Sequence, residues 1–315
     1  MFNADKFIKE TVQNLKTEIS GKTLIAFSGG VDSTVCAALV NKAIGKNLIA
    51  VHVDTGYMRK NESKDVKELM RKMGLNFRFI DASKDFYNDL KGVVDPEKKR
   101  KIIGEKFIRV FEKVAKQEKI EYLVQGTIAP DWIESGDSLR DNIKSHHNVG
   151  GLPEKMDLKL VEPLRDLYKD EVRKVAHILN LEVADRQPFP GPGLAVRIIG
   201  EATPERTEIV REACFIVEDE IEKAVSQGKM QIPWQYFSVL LPIKSVGVQG
   251  DRRAYGYVVG VRAVESIDAM TCTYSKIPHE VLEKISIRIT NSMKEKVNRV
   301  VYDITDKPPG TVEWE

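Results

Sequence analysis

Apolar residues recur at helical spacing at Phe7, Ile8, Val12, Leu15 and Ile19, which predicts an amphipathic helix over residues 3–19. The run Thr23–Phe27 is short, continuous and stopped by Ser-Gly-Gly, the signature of a buried strand, and Val35, Leu39 and Ala43 then return to helical spacing. Leu48–Val53 reads as a second strand followed by a helix marked by Val66, Leu69, Met70 and Met73. Phe77–Ile80 reads as a third, ahead of a long helix from Pro96 to Lys119 with Ile103, Phe107, Val110, Phe111 and Val114 inward. Tyr122–Val124 is the fourth strand candidate. Strands alternating with helices predict βαβ units, a parallel sheet and right-handed crossovers. A ligand of such a sheet belongs beyond the carboxyl ends of the strands, at a switch in strand order.

The periodicity fails over residues 127–157, which are rich in Gly, Asp, Ser and His, and a stretch of that length predicts a functional or disordered loop. One more helix, Lys169–Leu179, precedes Gln187-Pro-Phe-Pro-Gly-Pro-Gly193. There Pro188, Pro190 and Pro192 remove backbone donors and stiffen the chain, as at a domain boundary or a rigid active-site wall. Beyond it come a helix from Pro204 to Val225, strand candidates at Phe237–Leu241, Ala254–Val264 and Arg299–Ile304, and a helix at His279–Asn291. Lacking strict alternation, this half predicts a smaller α+β domain. The 315 residues, at about 150 per domain, also suggest two, divided into 1–187 and 188–315.

Charge and cysteine content narrow the function classes. Lys and Arg number 49 against 47 Asp and Glu, a net +2, which argues against a whole-chain polyanion binder, so no nucleic-acid partner is expected. No stretch approaches the roughly 18 apolar residues of a membrane span, so no membrane partner is expected either. Met1–Ile19 contains acidic residues, no Arg and no apolar core, unlike a signal or transit peptide. Cys36, Cys214 and Cys272 are scattered, odd in number and without a C-x-x-C, as expected of buried thiols in a cytoplasmic, reducing compartment.

The residues that carry chemistry are Ser28-Gly29-Gly30-Val31-Asp32-Ser33, with Thr34 following, between a predicted strand and a predicted helix. Two glycines let the backbone approach a phosphate, the helix start supplies unpaired N–H groups, and three hydroxyls add donors. Asp32 would be repelled by a polyphosphate unless Mg²⁺ lies between them, which makes it the candidate metal ligand. There is no Walker A pattern and no G-x-G-x-x-G. The loop resembles the pyrophosphate loop of the ATP pyrophosphatases, which cleave ATP between its α and β phosphates and adenylylate an acceptor oxygen.

Further stretches narrow the resemblance. Gly126-Thr127, Pro130-Asp-Trp-Ile-Glu-Ser135, Ile143-Lys-Ser-His-His-Asn148, Pro188-Phe-Pro-Gly-Pro-Gly193, Val246-Gly-Val-Gln-Gly-Asp251 and Lys307-Pro-Pro-Gly-Thr-Val-Glu-Trp-Glu315 are similar to GMP synthetases over essentially the whole chain. Trp132 departs from the aliphatic residue of that pattern. The resemblance implies a parallel-sheet, adenine-nucleotide-binding ATP pyrophosphatase domain followed by a smaller α+β dimerisation domain, in a homodimer. It implies GMP formation from XMP, ATP and ammonia through O2-adenylyl-XMP, with ATP and pyrophosphate held by Ser28, Gly29, Gly30, Val31, Asp32, Ser33 and Thr34. XMP would be held by Arg100, Asp251, Arg253, Lys307 and Glu313. Lys98–Lys101 read by themselves as a solvated helix face. Asp32 and Lys144 would be catalytic, Lys144 neutralising charge on the α-phosphate. His146 and His147 fit a general base, metal ligands or loop positioning, and Asp131 and Glu134 fit support of Mg²⁺ or of the loop. No cysteine lies between glycines as in a glutamine amidotransferase, so ammonia is expected free or from a separate glutamine amidotransferase subunit. The alternatives are another ATP pyrophosphatase such as NAD synthetase, a tRNA thiolase, or an ATP-binding regulatory module without turnover.

Overall fold

The computed structural model describes residues 2–130, 158–181, 187–249, 251–266 and 270–315. They form two compact units. The first comprises Met1–Thr55, Asn61–Ala82 and Ile103–Gly191, and the second comprises Gly56–Lys60, Ser83–Ile102 and Pro192–Glu315. The chain thus passes between units several times, with the last passage inside the Pro-Gly run.

The first unit is built on a five-stranded sheet of β1 (Thr23–Ala26), β2 (Leu48–Asp54), β3 (Phe77–Asp81), β4 (Tyr122–Val124) and β5 (Lys159–Val161). All neighbours are parallel, in the order β3-β2-β1-β4-β5. The sequence pattern anticipated four of these. β5 escaped it because only Val161 of its three residues is buried, so no apolar run marks it. Growth from β1 to β3 in one direction and from β4 to β5 in the other puts the switch point between β1 and β4.

Helix α1 (Ala4–Glu18) starts at Asn3, whose side chain accepts from the Lys6 amide at 2.9 Å, and lies against α2 (Val31–Ile44). Every residue of α2 from Thr34 to Val40 is buried, as befits a helix covered on all sides. Val35 and Leu39 are fully buried, each supplying about 1.5–3 kcal/mol of transfer free energy. Helix α3 (Glu62–Lys72) contributes Val66 and Met70 to the same core.

In the second unit, α4 (Ser83–Asp89) and the first turns of α5 (Pro96–Glu118) join a sheet made of β6 (Gln235–Gln249), β7 (Arg252–Glu265), β8 (Thr273–Tyr274) and β9 (Val297–Asp303). β6 and β7 form a long antiparallel hairpin, and β9 adds parallel to β7. The hairpin exceeds the sequence estimate because its register breaks between Leu240 and Lys244, around Pro242, which has no amide to donate. Helix α6 (Lys169–Ile178) belongs to the first unit, whereas α7 (Pro204–Ser226), capped by Thr203, packs on β6, and α8 (His279–Ser292) packs on α7. The short segment Gly56–Lys60 is an integral part of this second unit. Tyr57 is fully buried, its hydroxyl donates to the Ala202 carbonyl at 2.8 Å, and its own carbonyl accepts from the Leu194 amide at 2.7 Å. Gly193 at φ +65° packs on that carbonyl, where a Cβ would lie 2.4 Å away.

Candidate nucleotide site

The loop Ser28–Thr34 leaves the carboxyl end of β1, beside the switch point. Gly29 sits at φ +79°, and a Cβ there would lie 2.5 Å from Cγ2 of Val66, so both backbone and space demand glycine. The Ser28 hydroxyl meets that of Ser33 at 3.0 Å and accepts from the Gly30 amide at 3.2 Å. Gly30 caps α2 with no side-chain hydrogen bond, so the first turn keeps donors directed at an incoming anion. Thr34 is fully buried, and both its hydroxyl and its amide donate to the Gly30 carbonyl, at 2.8 and 3.0 Å. Its side chain therefore shapes the loop from beneath.

Asp32 lies in the first turn of α2 between two further elements. On one side is Gly126, after β4, where a Cβ would stand 3.2 Å from that of Asp32. On the other is Lys169, the first residue of α6, whose ammonium donates to Asp32 Oδ2 at 2.6 Å. Asp32 Oδ1 is buried and has no hydrogen-bond partner among the described residues. Such an orphaned carboxylate oxygen costs free energy unless something satisfies it, and it suits a hard divalent cation. Lys169 did not enter the sequence reading. Its one signal there was a cation at the first position of a helix, against the dipole. Lys144, Asp131, Glu134, His146 and His147 fall outside the described residues.

The candidate XMP residues lie in the second unit, in two groups. Asp251, at φ +61°, and Arg253 are exposed at the turn of the β6–β7 hairpin. Arg100 and Glu313 belong to a network that ties down the C-terminus. Arg100 donates to the main-chain oxygen of Glu315, and Arg197 grips Glu313 through Nε at 3.1 Å and Nη2 at 2.8 Å. Gln235 also donates to Glu313, at 3.2 Å. Lys307 exchanges backbone hydrogen bonds with Cys272 at 2.8 and 3.1 Å. Among the described residues neither Asp251 nor Arg253 meets Arg100 or Glu313 through a hydrogen bond or ion pair.

The expectation of a solvated face for Lys98–Lys101 fails at Lys99. It is fully buried and donates to the carbonyls of Ala195 (3.3 Å) and Ile198 (2.7 Å) and to the Glu315 carboxylate. Burial lowers its pKa below the usual lysine value, opposed by Glu315. Arg262, also buried, donates to the carbonyls of Thr305 and Thr311 and pairs with Asp303 at 3.2 Å. Sequence reasoning missed Lys99, Arg197 and Arg262 as anchors, because a cation on a helix or strand carries no local mark of burial. All three cysteines are free and buried.

A parallel sheet ordered β3-β2-β1-β4-β5, with a Ser-Gly-Gly-x-Asp-Ser loop leading into an uncapped helix at its switch point, defines an adenine-nucleotide-binding ATP pyrophosphatase fold. Residues 22–187 match the family model of queuosine biosynthesis protein QueC, and residues 219–314 match the GMP synthase C terminal domain. Over the full length, the chain is 58% identical to a GMP synthase [glutamine-hydrolyzing] subunit of Methanopyrus kandleri, covering 100% of both. It is 57% identical to the corresponding subunit of Thermococcus kodakarensis, covering 99% of each. A longer relative, GMP synthase [glutamine-hydrolyzing] of Thermotoga petrophila, is 56% identical, with 98% of this chain covering 62% of that protein. The chain belongs to the GMP synthase family.

Proposed function

We propose that this chain activates XMP with ATP and aminates it, forming GMP, AMP and pyrophosphate: a ligase that makes a C–N bond. The observation that carries this reading is the phosphate loop at the sheet's switch point, in a chain whose whole length matches a GMP synthase subunit. The α-phosphate of ATP is attacked by O2 of XMP, with pyrophosphate leaving into the cradle formed by Ser28, Gly29, Gly30, Val31, Asp32, Ser33 and Thr34. Ammonia then displaces AMP from the activated carbon. Mg²⁺, when bound, neutralises polyphosphate charge, and Asp32 is the residue proposed to hold it, with its orphaned Oδ1 as the fitting donor. Lys144 is proposed to neutralise charge on the α-phosphate during attack.

Arg100, Asp251, Arg253, Lys307 and Glu313 are proposed to bind XMP, the cations its phosphate and the carboxylates its base or ribose. Arg100 and Glu313 meet the substrate by exchanging their present partners. The relatives that match end to end are named as subunits of a glutamine-hydrolyzing synthase, which supports a separate glutamine amidotransferase subunit as the ammonia source. We place the reaction in the cytoplasm. No helix among the described residues is long and apolar enough to cross a membrane. Homodimerisation through the second unit is supported by Val246, Val248 and Tyr255, exposed on one face of the β6–β7 hairpin.

The test is incubation of the purified chain with ATP, Mg²⁺ and ammonium, with and without XMP, following AMP, pyrophosphate and GMP. XMP-dependent appearance of all three, with glutamine unable to replace ammonium, is expected. Absence of XMP-dependent pyrophosphate sinks the reading.

A further inference from the structure

Lys169 is placed where its own helix does not want it. A cation in the first turn of α6 opposes the helix dipole, and acidic side chains already serve that end. Glu171 accepts from the Tyr168 amide at 3.0 Å, and Asp170 pairs with Lys174 at 3.1 Å. What Lys169 gains is Asp32, 137 positions earlier in the chain, at 2.6 Å. Among the described residues the Asp32 carboxylate is held on that side only, since its second oxygen is buried without a hydrogen-bond partner there. The pair is also open to exchange: the Lys169 side chain is 42% exposed and that of Asp32 29%. A fully buried ion pair would resist exchange, whereas a partly exposed one separates at small cost.

We propose that Lys169 is a positioning residue that holds the Asp32 carboxylate in the free enzyme and surrenders it to the divalent cation that enters with the nucleotide. The proposal rests on the reading of Asp32 as the metal ligand. One positive charge occupies the carboxylate until a stronger one replaces it, so the first turn of α2 does not carry an unpaired anion beside the phosphate cradle. The same competition keeps metal binding weak until ATP supplies further oxygen ligands.

The test is titration of the nucleotide-free enzyme with Mn²⁺, followed by its electron paramagnetic resonance signal. Lys169→Met removes the competitor without disturbing the helix and is expected to tighten Mn²⁺ binding about five- to tenfold. Lys169→Arg retains the charge and is expected to restore the weak affinity, which a merely structural role would not predict. In the double variant, Lys169→Met with Asp32→Asn, the gain should vanish. A parallel titration in the presence of ATP separates the two ideas. If Asp32→Asn weakens Mn²⁺ binding to the ATP complex but Lys169→Met leaves the free enzyme unchanged, the role of Lys169 is overturned alone. If Asp32→Asn leaves the ATP complex unaltered, Asp32 is not the metal ligand and both ideas fall.

Discussion

The phosphate loop and the C-terminal tail are both rich in polar groups, yet they are finished to different degrees. In the loop, α2 begins without a side-chain cap and a buried oxygen of Asp32 has no partner among the described residues. In the tail, buried cations are largely matched: Lys99 by two carbonyls and Glu315, Arg197 by Glu313, and Arg262 by two carbonyls and Asp303, although Arg262 Nε has no partner among the described residues. Unsatisfied groups cost stability, and a fold retains them where a ligand will complete them. Matched groups hold a segment in one place. The contrast fits the proposal that the loop receives phosphate, whereas the tail's proposed XMP contacts form only at the expense of its present ion pairs.

Crowding the loop should give the largest effect. Gly29→Ala puts a Cβ against Val66 and forces an unfavourable φ, so the cradle cannot keep its shape. We expect kcat/KM for ATP to fall about 10³-fold, with a lowered melting temperature by circular dichroism but unfolding still cooperative, since the added Cβ meets the buried Val66. Near-normal ATP kinetics would show that the loop is not where the phosphates bind. Lys144→Ala is expected to lower kcat about 10²–10³-fold, the scale of one lost charge-stabilising donor. Retention of turnover in a single-turnover assay of AMP formation would remove Lys144 from the mechanism.

The matched region should respond in stability first. Arg197 is 1% exposed, clasps Glu313 and lies over the Phe237 ring at 4.0 Å. Arg197→Met leaves a mostly covered carboxylate without its cation, with Gln235 still donating to it, at a cost of about 3 kcal/mol. Urea unfolding should show it as a lower midpoint. Arg197→Met combined with Glu313→Gln should recover part of that loss, whereas additive losses would mean the two side chains are not coupled.

The legibility of these regions in the sequence differs for the same physical reason. Local patterns exposed the buried strands β1 and β2 and the Gly-Gly turn before α2, because burial and tight turns select residue types at neighbouring positions. The edge strand β5 left no such trace, since Lys159 and Leu160 are exposed. Partnerships across the chain left none either. Nothing near Asp32 names Lys169, and nothing in the basic run Lys98–Lys101 says that Lys99 is the buried one, or that it and Arg100 both reach Glu315. Tyr57 is another case. It lies three residues after β2 of the first unit, yet is buried in the second, which no periodicity over a window of that length can express.

The smallest expected effect concerns the thiols, and it sharpens the contrast by its absence. Burial pushes the Cys36 thiol well above its usual pKa, with the nearby Asp32 charge adding to the rise. Burial likewise pushes Cys214 up to about 11, only partly offset by Arg197. A raised thiol pKa means less of the reactive thiolate at any pH below it, so at pH 8 only about one part in 10³ of Cys214 is ionised. Cys272 is shielded by position, 4% exposed with its sulfur near the Arg262 guanidinium. Iodoacetamide at pH 8 should therefore add nothing to the native protein over a time that modifies all three cysteines in denaturant, as read by intact mass. Rapid native modification at Cys36 would mean that α2, and with it the Asp32 end of the phosphate loop, opens far more readily than its packing implies.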